Sequence, residues 1–421
     1  MFNASEGARL TGLCEEILRQ NWREGVRRSD GTPFAYTCPS PRHYPWQWYW
    51  DSCFTAIAWR RFDAARARRE LESLLRAGAV DGFIGHTIFW NAPLRGPRRF
   101  TYNVPAPGAP MTATIQPPAL AWAWRLAVGD PASEPQINAH YAWLARQRDV
   151  DGDGLLWILQ PDESGLDASP QFDAIWGAQT HGRPGFMRLV RRNRRLGFDL
   201  RRVLDDGGPV CCEVLTNVLH SLSLIALGRR SSTEAIVERL YDERRGLFLP
   251  RAHPRPARPP AVTWSALAPL ALPDLPEAIG RRLVDEHLLD PAQFWLPVMP
   301  PSVSALEPAF SLRDAGWLQV RRYWRGPTWV NAAWLVWIGL VRLGYAEQAA
   351  QLARALGGAV SRAGLREYYH PYTGRGMGAL DFAWSTLVLE LLDPDPRAAS
   401  SYLGDALVVR EPGGGSIRLD G

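Results

Sequence analysis

GPTWVNAAWLVWIGLVRLGYAEQAAQLARALGG, residues 326–358, contains two helical stretches, 326–343 and 345–358, parted by Gly344. Apolar residues recur three and four positions apart through both, which is the period of an α-helix. The most apolar run, AAWLVWIGLV at 332–341, falls well short of the roughly 20 residues that span a bilayer. The same period returns in 8–22, 52–62, 64–78, 117–128, 135–147, 212–228, 231–242, 276–287 and 381–392, and more weakly near 186–196 and 261–270. Few stretches alternate as strands do. About a dozen antiparallel helices in one domain suit six inner and six outer helices, an all-α (α/α)6 barrel or toroid. Loops at 30–50, 81–115, 149–184, 244–260 and 295–325 are too long for mere connections, and such loops are usually functional. No linker divides the chain, so one catalytic domain is expected over 1–393. The Pro-, Asp- and Gly-rich 394–421, with Glu411, reads as a tail packed on that domain or trailing from it.

The chain has 421 residues, 46% hydrophobic and 22% charged, an ordinary balance for a well-cored globular protein. It carries 19 Trp and no Lys, so all 48 basic residues are Arg. With 35 Pro this fits a GC-rich genome or a thermophile. A net charge of +5 favours anionic small ligands over nucleic acid, whose partners are more densely basic. Five Cys without CxxC spacing, including Cys211 and Cys212, form neither a disulfide framework nor a zinc site. The first residues, MFNASEGARLTGLCEEILRQ, lack the basic start and apolar run of a signal peptide. A cytoplasmic protein is expected, a monomer or small homo-oligomer with no membrane partner.

Four clusters carry chemistry. PDESGLDASPQFD (161–173) sets Asp162, Glu163 and Asp167 around a Gly turn, with Asp167 beside apolar Leu166. Partial burial of that kind raises a carboxyl's pKa, as a general acid needs; a helix-capping Asp is the plainer reading. LREYYHPYTGRGMGALDFAWST (365–386) places Glu367 among aromatics, either a sugar-facing base or a surface Glu before a turn. HYPWQWYWD (43–51) ends on Asp51 after Tyr44, Trp48 and Trp50. Aromatic faces stack on the C–H face of a sugar while a carboxylate accepts from its hydroxyls. Consecutive residues of any regular element point in different directions, so core packing explains such a run poorly. RYWRGPTWVN (322–331) turns through Arg325, Gly326 and Pro327 just after Trp324. Gln116 opens a helix after a long loop, and its amide can both donate to and accept from hydroxyls.

ESGLDASP, YWRGPTWVN, the Trp50-Asp51 pair and the spacing of Glu367, Tyr369, Pro371, Thr373 and Gly374 resemble glycoside hydrolase family 63. The chain resembles in particular the short bacterial mannosylglycerate and glucosylglycerate hydrolases of that family. The resemblance implies an (α/α)6 barrel and inverting hydrolysis of α-glycosides, with Asp167 as general acid and Glu367 as general base. A glycone pocket lined by Tyr44, Trp48, Trp50, Asp51, Gln116, Trp324 and Gly326 is expected. One departure stands out: many relatives carry Trp five residues before the acid, where this chain has Asp162.

A glycerate aglycone would call for an arginine. RLVRRNRRLGFDLRR (188–202) supplies seven, most of them readable as a solvated helix face, and Arg201 is the candidate for the carboxylate. DVDGDG (149–154) has the opening of a calcium loop through Asp149, Asp151 and Asp153, but Gln160 stands at its twelfth position. No metal or cofactor is expected. The competing readings are an α-glucosidase for a small neutral disaccharide and a non-catalytic sugar-binding protein; the latter has no use for both Asp167 and Glu367.

Overall fold

Helix α1 spans Ala4–Asn21, α2 Tyr49–Trp59, α3 Ala64–Ala77, α4 Leu120–Ala127 and α5 Pro135–Arg148. They are followed by α6 Arg183–Arg195, α7 Leu200–Asp205, α8 Val214–Ala226, α9 Thr233–Leu240 and α10 Glu277–Leu283. The last three are α11 Val330–Arg342, α12 Ala346–Ala363 and α13 Val388–Leu392. This computed structural model describes residues 4–91, 103–106, 108–178, 183–313, 324–392 and 402, with the backbone of 409–410 and 416–417.

Two kinds of helix alternate. Every residue of α2 is buried, as its apolar sequence YWDSCFTAIAW requires. Helix α3, AARARRELESLLRA, turns its charges except the buried Glu70 away from the core and starts where the Asp63 carboxylate accepts from the Arg66 N–H. An all-apolar helix must be covered on every side, whereas an amphipathic one covers a neighbour and faces water. The buried elements accordingly form a closed circuit. α2 packs on α4, α4 on α8, α8 on the 3₁₀ helix Trp264–Ala271, and that on α11. α11 meets Ala383–Leu387, which packs back on α2. The amphipathic α3, α9 and α12 lie against α2, α8 and α11 from outside. Pro269 inside Trp264–Ala271 removes a helical donor, so this inner element is 3₁₀ rather than α.

The period read from sequence locates these helices, and the differences at their ends have local causes. Pro117 and Pro118 precede a tight turn in which the Ala119 N–H donates to Pro117 O, and the helix begins only at Leu120. The stretch from 381 divides into 3₁₀ Ala383–Leu387 and α13. Helix α7 lies outside the periodic stretches; the Asp199 carboxylate caps it by accepting from the Arg202 N–H at 3.0 Å. Short strands occupy the connections, such as Trp22–Val26 against Pro33–Thr37 and Arg366–Tyr369 against Gly376–Leu380.

Within 149–154 the Asp149 carboxylate accepts from the backbone N–H groups of Gly152, Asp153 and Gly154. It closes a turn there, and Asp153 accepts from the Leu155 N–H and lies 3.4 Å from Arg239. Of the tail, Tyr402 is buried, donates to Glu390 Oε2 at 3.1 Å and meets Trp334 edge-on. The boundary drawn at 393 and Glu411 lie outside the described residues. No helix among the described residues is long and apolar enough to cross a membrane.

Candidate active site

The starts of four inner elements are drawn together by indole contacts. Trp324 stacks on Trp329 with centroids 3.8 Å apart and planes 5° from parallel. It also stacks on Trp264 at 6.0 Å and lies 6.4 Å from Trp50. Trp384 meets Trp50 and Trp329 edge-on at 5.2 and 5.6 Å. These rings precede or open α2, Trp264–Ala271, α11 and Ala383–Leu387, so one rim of the ring is walled by Trp. Five of the 19 Trp stand in this wall.

Glu367 sits on that rim, only 2% exposed. The hairpin that carries it is irregular: register shifts between Arg366 and Tyr368, so Glu367 lies at a bulge, a device that re-aims a side chain. Its Oε1 accepts from the Tyr44 hydroxyl at 3.0 Å and its Oε2 from the Ala379 N–H at 2.8 Å. Gly378 has φ +67°, and a Cβ there would stand 2.6 Å from Glu367 Oε2, so only glycine lets the carboxylate sit in this seat. Tyr44 is held edge-on between Trp48 and Phe382. Trp48 in turn stacks on His86 at 5.3 Å.

Asp51, in the first turn of α2, is 4% exposed. Burial first, then the charges of Glu367, Glu70 and Asp167, hold its carboxyl well above the usual range, against the pull of a backbone N–H. Asp51, Asp167 and Glu367 therefore share one electrostatic field.

Asp167 is half-buried on a turn in which the Ser169 N–H donates to Leu166 O at 3.0 Å. The neighbouring acids differ sharply. Glu163 is fully buried and bound by Arg148 through two bonds of 2.6 and 2.8 Å. It also accepts from the Ile115 and Leu159 N–H groups, so it anchors the loop to the end of α5. Asp162 accepts from neutral amides, Asn103 Nδ2 at 2.5 Å and Gln160 Nε2 at 2.6 Å. Burial and then the Asp167 charge push it up to about 8. Gly165, with φ +70°, lies so close to Trp50 that a Cβ would come within 2.5 Å of its ring. The acid loop and the aromatic wall thus touch at this residue.

Gln116 is buried with Oε1 accepting from the Trp50 N–H at 3.1 Å, so its accepting end is already in use by the wall. Gly326 approaches the backbone: its N–H donates to Ser302 Oγ, and a Cβ would stand 2.8 Å from Ser311 O. Arg201 is exposed on α7 and makes no hydrogen bond or ion pair among the described residues. The basic segment reaches the acid loop through Asn193 instead, which donates to Leu159 O and Gln160 Oε1.

Two residues that a reading of the sequence passes over matter most. Arg325 looks there like part of a turn, yet its guanidinium donates to Ala168 O at 2.9 Å and pairs with Asp173 at 2.6 Å. Arg148 has no sequence signal at all. Among the described residues no group of three His, Cys, Asp or Glu gathers to hold a metal.

The Mannosylglycerate hydrolase MGH1-like glycoside hydrolase domain matches residues 44–220 and 223–385. A mannosylglycerate hydrolase of Rubrobacter radiotolerans is 30% identical, over 84% of this chain and 92% of that one. A glucosylglycerate hydrolase of Mycolicibacterium hassiacum is 26% identical, over 83% and 92%. The glycoside hydrolase family 63 mannosylglycerate hydrolase of Thermus thermophilus, crystallised with Tris and D-glycerate, superposes with a TM-score of 0.73 at 27% identity. That superposition covers 91% of this chain and 99% of that one.

Proposed function

The chain belongs to the mannosylglycerate hydrolase-like glycoside hydrolases of family 63, and we propose that it releases mannose or glucose from mannosylglycerate or glucosylglycerate with inversion. The closed circuit of buried elements is read as the inner ring of an (α/α)6 barrel over 1–393. Asp167 is the proton donor and Glu367 the base.

What carries this reading is the common field of Asp51, Asp167 and Glu367 at a rim walled by Trp. Inverting enzymes use two carboxyls roughly 6.5–9.5 Å apart, with a water between base and anomeric carbon. Both bonds to Glu367, from Tyr44 and from Ala379, favour its ionised form, which is the form a base must take. Glu367 removes a proton from a water molecule as the oxygen of that water bonds to the anomeric carbon. The bond from that carbon to the glycerate oxygen breaks, and the Asp167 proton passes to the departing oxygen. Asp51, whose carboxyl burial pushes well above the usual range, faces the sugar hydroxyls as their hydrogen-bonding partner. Trp50 is the face for the C–H side of the ring, with Trp324 stacked on Trp329 in the same wall, and the amide of Gln116 is a donor. Arg201 is the proposed partner of the glycerate carboxylate; its exposure on α7 leaves it free of a competing acid.

Proton NMR of the first product, with mannosylglycerate, glucosylglycerate and neutral glucosylglycerol as substrates, tests the proposal. A β-anomer is expected first, faster turnover of the charged substrates, and losses of about 10²–10⁴ in Asp167→Asn and Glu367→Gln. A retained α-anomer would overturn the mechanism. Equal rates on glucosylglycerol would overturn the glycerate assignment and leave the reading as an α-glucosidase for small neutral substrates.

A further inference from the structure

The peptide that follows Asp167 is held in an unfavourable conformation. Ala168 has φ +60°, one of four non-glycine residues with positive φ among those described. The turn from Leu166 to Ser169 puts Asp167 and Ala168 at its two central positions. A positive φ at the second of these is normally left to glycine, because a Cβ there crowds the following carbonyl. Left-handed residues of this kind persist only where their surroundings hold them.

The holding group is visible. Arg325 Nε donates to Ala168 O at 2.9 Å from 157 positions away, with the arginine 5% exposed. Nη2 pairs with Asp173 at 2.6 Å on the far side of the same loop, so the positive charge is answered within the clamp. The arginine's own backbone is fixed, its carbonyl accepting from the Ser311 N–H at 2.7 Å. The next residue upstream is Trp324, stacked in the aromatic wall.

We propose that Arg325 is a positioning residue for the proton donor: by holding the left-handed Ala168 carbonyl it fixes where Asp167 presents its proton, in register with Trp324. The proposal rests on Asp167 being that donor. Arg325 does not serve as the aglycone's cation, since Ala168 O and Asp173 engage it within the loop.

The test compares substrates that differ in their need for a proton. Glycosylglycerates leave as a poor alkoxide and need the acid; α-mannosyl and α-glucosyl fluoride leave as fluoride and need it little. Arg325→Met is expected to lower kcat on the glycosylglycerates by about 10²-fold, the scale of a lost general acid, with KM and fluoride hydrolysis held within about threefold. Placing Ala168→Gly in that background should recover about tenfold, because glycine takes the left-handed conformation without a clamp. Should Arg325→Met fail to fold, Ala168→Val keeps the arginine and strains the turn, and the same selective loss is expected. Asp167→Asn separates the two readings. If it loses glycosylglycerate and fluoride hydrolysis equally, the proton-donor reading fails. If Asp167→Asn is selective while Arg325→Met loses both substrates alike, or neither, the clamp is overturned and the donor stands.

Discussion

The Tyr44 hydroxyl donates to Glu367 Oε1 at 3.0 Å, joining residues 323 positions apart in sequence. By its sequence company Tyr44 reads as a sugar contact; the structure shows it bonded to the carboxylate. A donor on an ionised oxygen stabilises that form, so its loss must raise the affinity of Glu367 for a proton. In Tyr44→Phe the acidic limb of the kcat/KM profile should move up by about one pH unit. An unmoved limb would mean that another group titrates there.

Gly378→Ala places a methyl 2.6 Å from Glu367 Oε2, closer than real Cβ contacts come, and at a φ of +67°. The carboxylate has to shift, and about 1 Å of misplacement costs on the order of 10²-fold in rate. Steady-state kinetics should show a fall in kcat of that size. A tyrosine-bonded base that tolerated the methyl would not be seated as described.

Arg148 and Glu163 are each nearly fully buried and bonded at 2.6 and 2.8 Å. Arg148→Met strands a charge in the core, and removing one partner of such a pair costs about 3–5 kcal/mol. Urea unfolding should register that loss, with a smaller one when Glu163→Gln is added. Equal stability of the single variant and the parent would mean that the pair is open to water.

Glu70 lies in the core, accepting from Thr37 N–H, Thr37 Oγ1 and Thr55 Oγ1. Burial pushes its pKa from 4.5 to about 7 despite those bonds. The folded state thus binds the proton more tightly than the unfolded one. This contribution is fully present below pH 4.5 and is lost as pH rises through 7, a span on the order of 3 kcal/mol. Glu70→Gln should flatten the measured pH dependence of unfolding over that window.

The inner helices are legible because an apolar period needs only neighbours in sequence; it finds α2 and α11, though it starts α2 at 52 rather than Tyr49 and α11 at 326 rather than Val330. Carboxylates Asp167 and Glu367 are legible as residue types in unusual company. What escapes is pairing at a distance. Arg325 and Ala168 carry no period that joins them, and Arg148 looks like any arginine in the last turn of a helix. Asp162 and Glu163 are adjacent and alike in sequence, yet the second receives an arginine and the first two amides. Only the fold of the loop tells them apart. Seven arginines draw attention to 188–202, while the residue that binds the acid loop there is Asn193.

The circuit closes only when Ala383–Leu387 packs back on α2. A ribosome makes α2 early and its last covering element late. At roughly 5–20 residues per second, the 323 positions between Tyr44 and Glu367 take about 15–65 s to emerge. For that interval the nascent chain displays an apolar helix with one flank bare and a tyrosine awaiting its carboxylate. Such a chain is a natural client for a chaperone at the exit tunnel, and the base reaches its seat only after the hairpin that carries it has emerged.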